Sequence, residues 1–263
     1  MSNLGPTLIV TPPIRGDKTV VILGAFRGGT SMITAAVDAL GVPMRDSQQE
    51  NDEGNGYDNW EDSEFQEVLH ANGQFIVSTL EQGVLPSEST VAQMKQRLPD
   101  FSQLVEKRNA SFGSWGWKYP GTSLWVLVTD LIQRLRNPHV ITVFRDPLAI
   151  WQHETLPGTA NLKPDRFRTQ TRSFSYATVQ NEILARCAKM IECPQLVVSS
   201  ERASKDSNSK QQLVTNLREF LQTPNDELNE KLAVERMSKS KQTESTRPPF
   251  EVRTTCQSDP AAT

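Results

Sequence analysis

The chain has 263 residues, 37% of them hydrophobic and 22% charged, with a net charge of -3. That length allows one α/β domain or two small ones with a sizeable core, and the charge gives no support to wholesale nucleic-acid binding. No apolar run is long enough to span a membrane, the N-terminus has no secretory core, and Cys187, Cys193 and Cys256 are too few and too badly spaced for a disulfide framework or a zinc site.

Reduced thiols in a cytoplasmic protein are therefore expected. In chain order, residues 1–17 hold Pro6, Pro12, Pro13 and Gly16 and read as an irregular lead-in. Val20 to Leu23 is apolar without alternation, the pattern of a strand covered by helices on both faces. Ile33, Ala36, Val37 and Leu40 recur at helical spacing, so a helix starts near Thr30 and stops at Gly41-Val42-Pro43. Residues 46–59 are rich in Asp, Asn, Gly and Gln and read as a long polar loop, a kind that often carries function.

Helical patterns follow at about 61–71 and 88–107, the second interrupted by Pro99. Trp115-Gly116-Trp117-Lys118 precedes Pro120, and Leu124, Leu127, Leu131 and Leu135 then share one face of another helix. Val140 to Phe144 is a second buried strand, ending at Arg145-Asp146-Pro147. Tyr176, Val179, Ile183, Cys187 and Met190 mark a long helix, and Leu196 to Ser199 a third strand. Leu213, Leu217, Phe220 and Leu221 form one face of a late helix, and from about 239 the chain turns polar and is expected to be flexible. Alternating strands and helices predict an α/β fold, a three-layer parallel sheet in one domain at 18–238, between the lead-in and a tail at 239–263.

The segment after the first strand carries the chemistry. Gly24, four residues, then Gly29-Thr30-Ser31 keep the spacing of a phosphate loop, whose usual pattern ends in Gly-Lys-Ser/Thr. Glycines let the backbone approach an anion, and the free N–H groups of the next helix point at it. Thr30 stands at the lysine position and supplies no cation. The positive charge has moved to Arg27, whose guanidinium can fork onto two anionic oxygens.

Phe26-Arg27-Gly28-Gly29-Thr30-Ser31 resembles the Arg-Ser-Gly-Thr-Ser/Thr loop of the sulfotransferases that use 3′-phosphoadenosine 5′-phosphosulfate (PAPS). The resemblance implies a P-loop-NTPase-like fold, and that Arg27, Gly28, Gly29, Thr30 and Ser31 hold the 5′-phosphosulfate. Gly28 stands where a serine is common. Ile141 to Pro147 resembles the family's second signature, a strand ending in Arg-Asp-Pro, in which the arginine and a serine eight residues later grip the 3′-phosphate. Here Arg145 is present and His153 replaces the serine; a histidine can still donate to phosphate. Trp115-Gly116-Trp117-Lys118-Tyr119-Pro120 is similar to the family's Trp-Gly-Trp-Lys-Asp-Pro, which implies that Lys118 stabilises charge on the departing phosphate. Tyr119 replaces the aspartate, and Gly121 stands where some relatives carry arginine. Val197 to Glu201 and the helix at 208–222 resemble the family's third strand and following helix, so the likeness covers about 18–225.

Sulfonate transfer to a hydroxyl or amine needs a base as well as cations. Gly56 to Asp62 resembles the family segment whose glutamate takes the acceptor proton, which picks out Glu61, with Asp58 and Asp62 as close competitors. Acids are also favoured in the first turn of a helix. His70 and His139 have no motif around them, and Asp130 reads as a helix-surface residue rather than a magnesium ligand. The resemblance requires no metal. A kinase with a degenerate loop, or a non-catalytic nucleotide-binding relative, are the rival readings. The acceptor stays open among carbohydrate, lipid, peptide and small alcohol, and no feature sets an oligomeric state.

Overall fold

The computed structural model describes residues 5–44, 62, 64–65, 87–96, 100–120, 131–155 and 174–245. Five strands form one sheet: β1 (Thr7–Thr11), β2 (Thr19–Gly24), β3 (Trp115–Pro120), β4 (Pro138–Phe144) and β5 (Gln195–Ser199). Their spatial order is β1-β5-β4-β2-β3. β2 runs parallel to β3 and β4, and β4 parallel to β5, while β1 joins β5 antiparallel. The described helices are α1 (Thr30–Ala39), α2 (Glu88–Gln96), α3 (Ser102–Ser111), α4 (Pro147–Thr155), α5 (Phe174–Met190), the single turn α6 (Ser200–Ala203), α7 (Ser207–Leu221) and α8 (Glu227–Ser245).

Period-two alternation divides the strands between two cores. Val20, Ile22, Ile141, Val143, Leu196 and Val198 face α1, α7 and α8. Val21, Leu23, Val140, Trp115 and Trp117 face the other way, against Val105 of α3, Ile150 of α4, and Ala177 and Leu184 of α5. Every residue of β2 is buried, as its unbroken apolar run requires. The sheet thus has helices on both faces, the expected three-layer α/β arrangement. On the second face Phe65 stacks on Trp117 with ring centroids 4.6 Å apart, and on Trp115 and Phe101 beside it. Burial pushes the Cys187 thiol up to about 12, so it acts as a small apolar group in this packing. None of the described helices is long and apolar enough to cross a membrane.

The expected interruption of the helical pattern at 88–107 falls between α2, which ends at Gln96, and α3, which begins at Ser102. Two expectations need correction. The lead-in at 1–17 is not irregular throughout, because Thr7–Thr11 pairs with β5 as an antiparallel edge strand on the otherwise parallel sheet. Helix continues past 239, since α8 runs to Ser245. Its composition is polar, but Ala233 and Met237 are fully buried in the core with α1, and Asp226 caps its first turn at Leu228 N, 2.9 Å away. Leu131 and Leu135 are buried on either side of a single 3-10 turn at Ile132–Arg134; Leu124, Leu127, Asp130 and His70 lie outside the described residues.

His139 is structural, as expected of a histidine without a motif. It is fully buried on β4, donates Nδ1–H to the Asn137 carbonyl at 2.9 Å, and accepts the Ile14 N–H at Nε2 at 3.2 Å. Accepting the Ile14 N–H at Nε2 requires the neutral ring, and that bond ties the lead-in to the sheet. Burial holds its pKa below the ordinary value, with nearby Lys18 adding to the shift. The unfolded chain takes up a proton near the ordinary value of about 6.5 while the folded chain resists it. This contribution is therefore present above that pH and lost as pH falls through it. Urea midpoints measured at about pH 7.5 and about pH 5 should fall on acidification. The fall should shrink in His139→Gln, whose amide can make both bonds without titrating.

Candidate functional site

The strand order fixes where a ligand can bind. From β2 the chain passes by α1 to β3 on one side, and from β4 by α5 to β5 on the other. β2 and β4 are neighbours, so their following loops diverge and open a crevice at the carboxyl ends of the strands. Arg27 lies in the first of these loops and Arg145 at the head of the second.

The first loop is as tight as its glycines suggest. Gly28 N–H closes a turn onto the Ala25 carbonyl at 2.9 Å. A Cβ on Gly24 would collide with Thr30 Cγ2, and one on Gly28 would sit 2.7 Å from the Ala25 oxygen. Gly29 is the N-cap of α1 at φ 87, a backbone region that favours glycine, and no side chain caps the helix. Gly29 thus places no side-chain acceptor of its own over the first-turn amides of α1, the arrangement that can receive an anion. Arg27 adopts φ 59, left-handed for a residue with a side chain. Thr30 is buried against Gly24, with its carbonyl accepting Thr34 Oγ1 at 2.8 Å. It packs the turn instead of supplying charge.

Lys118 reaches the same helix end from β3. Because Trp115 and Trp117 face the second core, Lys118 and Gly116 face α1. Gly116 has no Cβ because Met44 occupies that space. The Lys118 side chain is 2% exposed, and its Nζ donates to Ser31 Oγ at 3.1 Å. Ser31 is the second residue of α1, so an ammonium and a helix N-terminus converge on one hydroxyl.

Arg145 is drawn to the first loop. Its Nη1 donates to the Arg27 carbonyl at 2.6 Å, and its Nε lies 3.7 Å from Glu201 Oε1. The same Glu201 oxygen accepts the Asp146 N–H at 2.9 Å, while Asp146 Oδ1 caps α4 at Leu148 N. The Arg-Asp strand end is thus not an internal ion pair; its two residues hold different neighbours. His153 falls on α4.

Of the acids considered as bases, Asp62 is committed elsewhere. Its Oδ2 lies 2.6 Å from Arg108 Nη2, both side chains at least nine-tenths buried, and its Oδ1 accepts the amides of Glu64 and Phe65. Glu61 and Asp58 lie outside the described residues, as does Gly121. Among the described residues, no group of three His, Cys, Asp or Glu is arranged to hold a metal.

The loops also use residues that carry no sequence signal. Ser200 Oγ packs against Gly29, within 3.2 Å of where its Cβ would be. Gln180 and Asn181 reach both loops from α5. Glu201 was legible only as part of the third strand's likeness.

No family model matches the chain, and no curated protein does. Two solved sulfotransferase domains resemble it. The domain from the Synechococcus PCC 7002 olefin synthase has a TM-score of 0.47 at 18% identity, over 83% of this chain and 78% of that one. The domain from the curacin biosynthetic pathway has a TM-score of 0.44 at 14% identity, over 93% of this chain and 94% of that one.

The turn's dependence on Gly24 is testable by stability. Gly24→Ala should cost about 1–3 kcal/mol through overpacking, read as a lowered urea midpoint. Thr30→Ser removes the offending Cγ2 and should recover part of that loss in the double variant.

Proposed function

We propose that this chain is a sulfotransferase that takes its sulfonate from PAPS, releases 3′-phosphoadenosine 5′-phosphate, and delivers the sulfonate to a hydroxyl or amine of a small-molecule or carbohydrate acceptor. Support comes from where the cations lie. The loop has lost the lysine that a phosphate loop offers to nucleoside triphosphates, and Lys118 arrives from the neighbouring strand at the uncapped N-terminus of α1. That donor set suits a phosphosulfate: open helix amides, an arginine in the loop, and a buried ammonium beside Ser31.

In this reading Arg27 and the amides of Gly28 to Ser31 hold the 5′-phosphosulfate, and Arg145 with His153 holds the 3′-phosphate. PAPS supplies an activated sulfonate, whose transfer leaves negative charge on the departing phosphate. Lys118 and Arg27 hold that charge, and donors placed in advance where charge develops are the usual source of large stabilisation. Glu61 takes the acceptor proton as the new bond to sulfur forms, with Asp58 as its competitor; the Arg108 ion pair removes Asp62 from that role. A cytoplasmic setting with reduced thiols belongs to the same proposal.

Calorimetry with adenosine 3′,5′-bisphosphate tests it. Wild-type binding should weaken at least about tenfold in Arg27→Ala and in Arg145→Ala, as loss of a charge-assisted contact requires. Lys118→Ala should lower turnover by about 10²–10³ once an acceptor is found. Wild-type affinity no better than that of the arginine variants, or tighter Mg²⁺-dependent ATP binding, would overturn the proposal. Bisphosphate binding without transfer across a broad acceptor panel would reduce it to a non-catalytic relative.

A further inference from the structure

We infer that Gln180 and Asn181, adjacent on α5, are positioning residues that clamp the two arginine loops into one rigid anion receptor. Gln180 is 1% exposed, and its Oε1 accepts the Phe26 N–H at 3.1 Å. Asn181 donates Nδ2–H to the Arg145 carbonyl at 2.7 Å. The circuit closes through Arg145, whose guanidinium bonds the Arg27 carbonyl at 2.6 Å. One helix thus grips the residue before Arg27 and the residue that holds Arg27.

The loop needs that grip. Phe26 is 38% exposed, so packing alone does not enclose it. Arg27 sits at φ 59, a left-handed conformation that is unfavourable for a residue with a side chain. Such a conformation persists only where its surroundings over-determine it, and here bonds flank it on both sides: Phe26 N–H to Gln180, Arg27 C=O to Arg145. Asn181 then fixes the Arg145 turn against the same helix. A ligand with an anionic group at each end gains most from a fixed spacing between loops, because nothing remains to be ordered on binding. Gln180 and Asn181 touch no reacting atom in this scheme; they act through Arg27 and Arg145.

The inference rests on the proposed donor site, and its test separates the two. Adenosine 3′,5′-bisphosphate and adenosine 5′-monophosphate are titrated into the full chain and into Gln180→Met and Asn181→Ala. The affinity ratio of bisphosphate to monophosphate should fall about tenfold in each variant, and the double variant should fall little further than the worse single one, as coupled residues do. Gln180→Glu, which keeps an Oε1 acceptor, should restore much of the ratio. Equal weakening of both ligands, or an unchanged ratio, overturns the clamp. Amide hydrogen exchange without ligand is the second readout, and it applies even if wild type binds neither nucleotide and the donor reading fails. Phe26 to Gly28 should exchange faster in Asn181→Ala, although Asn181 does not touch them; unaltered exchange there overturns the clamp by itself. Should Gln180→Met not fold, Gln180→Glu and Asn181→Ala still decide the matter.

Discussion

Everything at the candidate site depends on how the chain leaves β2. Between Gly24 and Thr30 the backbone must turn sharply, keep the first amides of α1 open, and present a cation, all against a buried helix–sheet contact. Two of those demands compete for space. Gly24 has no Cβ because Thr30 packs onto it, and Gly28 has none because the Ala25 carbonyl lies against it. Gly29 then takes a φ of 87 so that α1 can begin without a side chain over its amides. With Thr30 spent on packing, the positive charge has to come from elsewhere. Arg27 within the turn and Lys118 across the strand pair meet that need, and Arg145 is drawn in to hold the turn's carbonyl.

Lys118 shows what such a solution costs. A buried ammonium is unfavourable unless hydrogen-bonded and electrostatically compensated. β3 makes it tolerable through its alternation. Trp115 and Trp117 fill the aromatic cluster on one face, leaving Gly116 and Lys118 on the side of α1. Parallel register sets Lys118 opposite Ile22, two residues before the end of β2, so a four-carbon stem reaches the helix N-terminus. The positive end of a helix is a poor neighbour for an ammonium, and Ser31 Oγ stands between them as acceptor. Lys118 therefore adds a positive charge at the end of the crevice where the loop after β2 begins α1.

What could be read from the sequence was what repeats locally. The buried runs at 20–23, 140–144 and 196–199 and the helical spacing at 33–40, 176–190 and 213–221 all correspond to observed elements, because one residue's burial predicts its neighbours' at a fixed period. The edges failed for a physical reason. β1 is a short edge strand with Leu8, Ile9 and Val10 all exposed, so it shows no alternation. α8 buries only a narrow stripe around Ala233 and Met237 and otherwise reads as solvent-facing polar chain. In the site, Arg27 and Arg145 announced themselves through the strand–loop junctions that carry them. Gln180 lies 154 residues from its partner Phe26, and Asp62 lies 46 from Arg108. No local pattern encodes bonds of that separation.

The exchange of a helix-borne lysine for a loop-borne arginine also changes what the site can select. A lysine at the first residue of α1 would project along the helix axis toward bridging phosphates, as a point charge on a flexible stem. Arg27 instead presents a planar fork from a backbone pinned on both sides, so direction matters as much as charge. Such a fork suits a terminal tetrahedral oxyanion that offers two oxygens at once. It suits a polyphosphate less, because there the charge is spread along a chain and is ordinarily shared with a metal ion. Geometry and charge at this loop therefore suit a compact oxyanion, and they do so through the residue whose position the rest of the loop is built to fix.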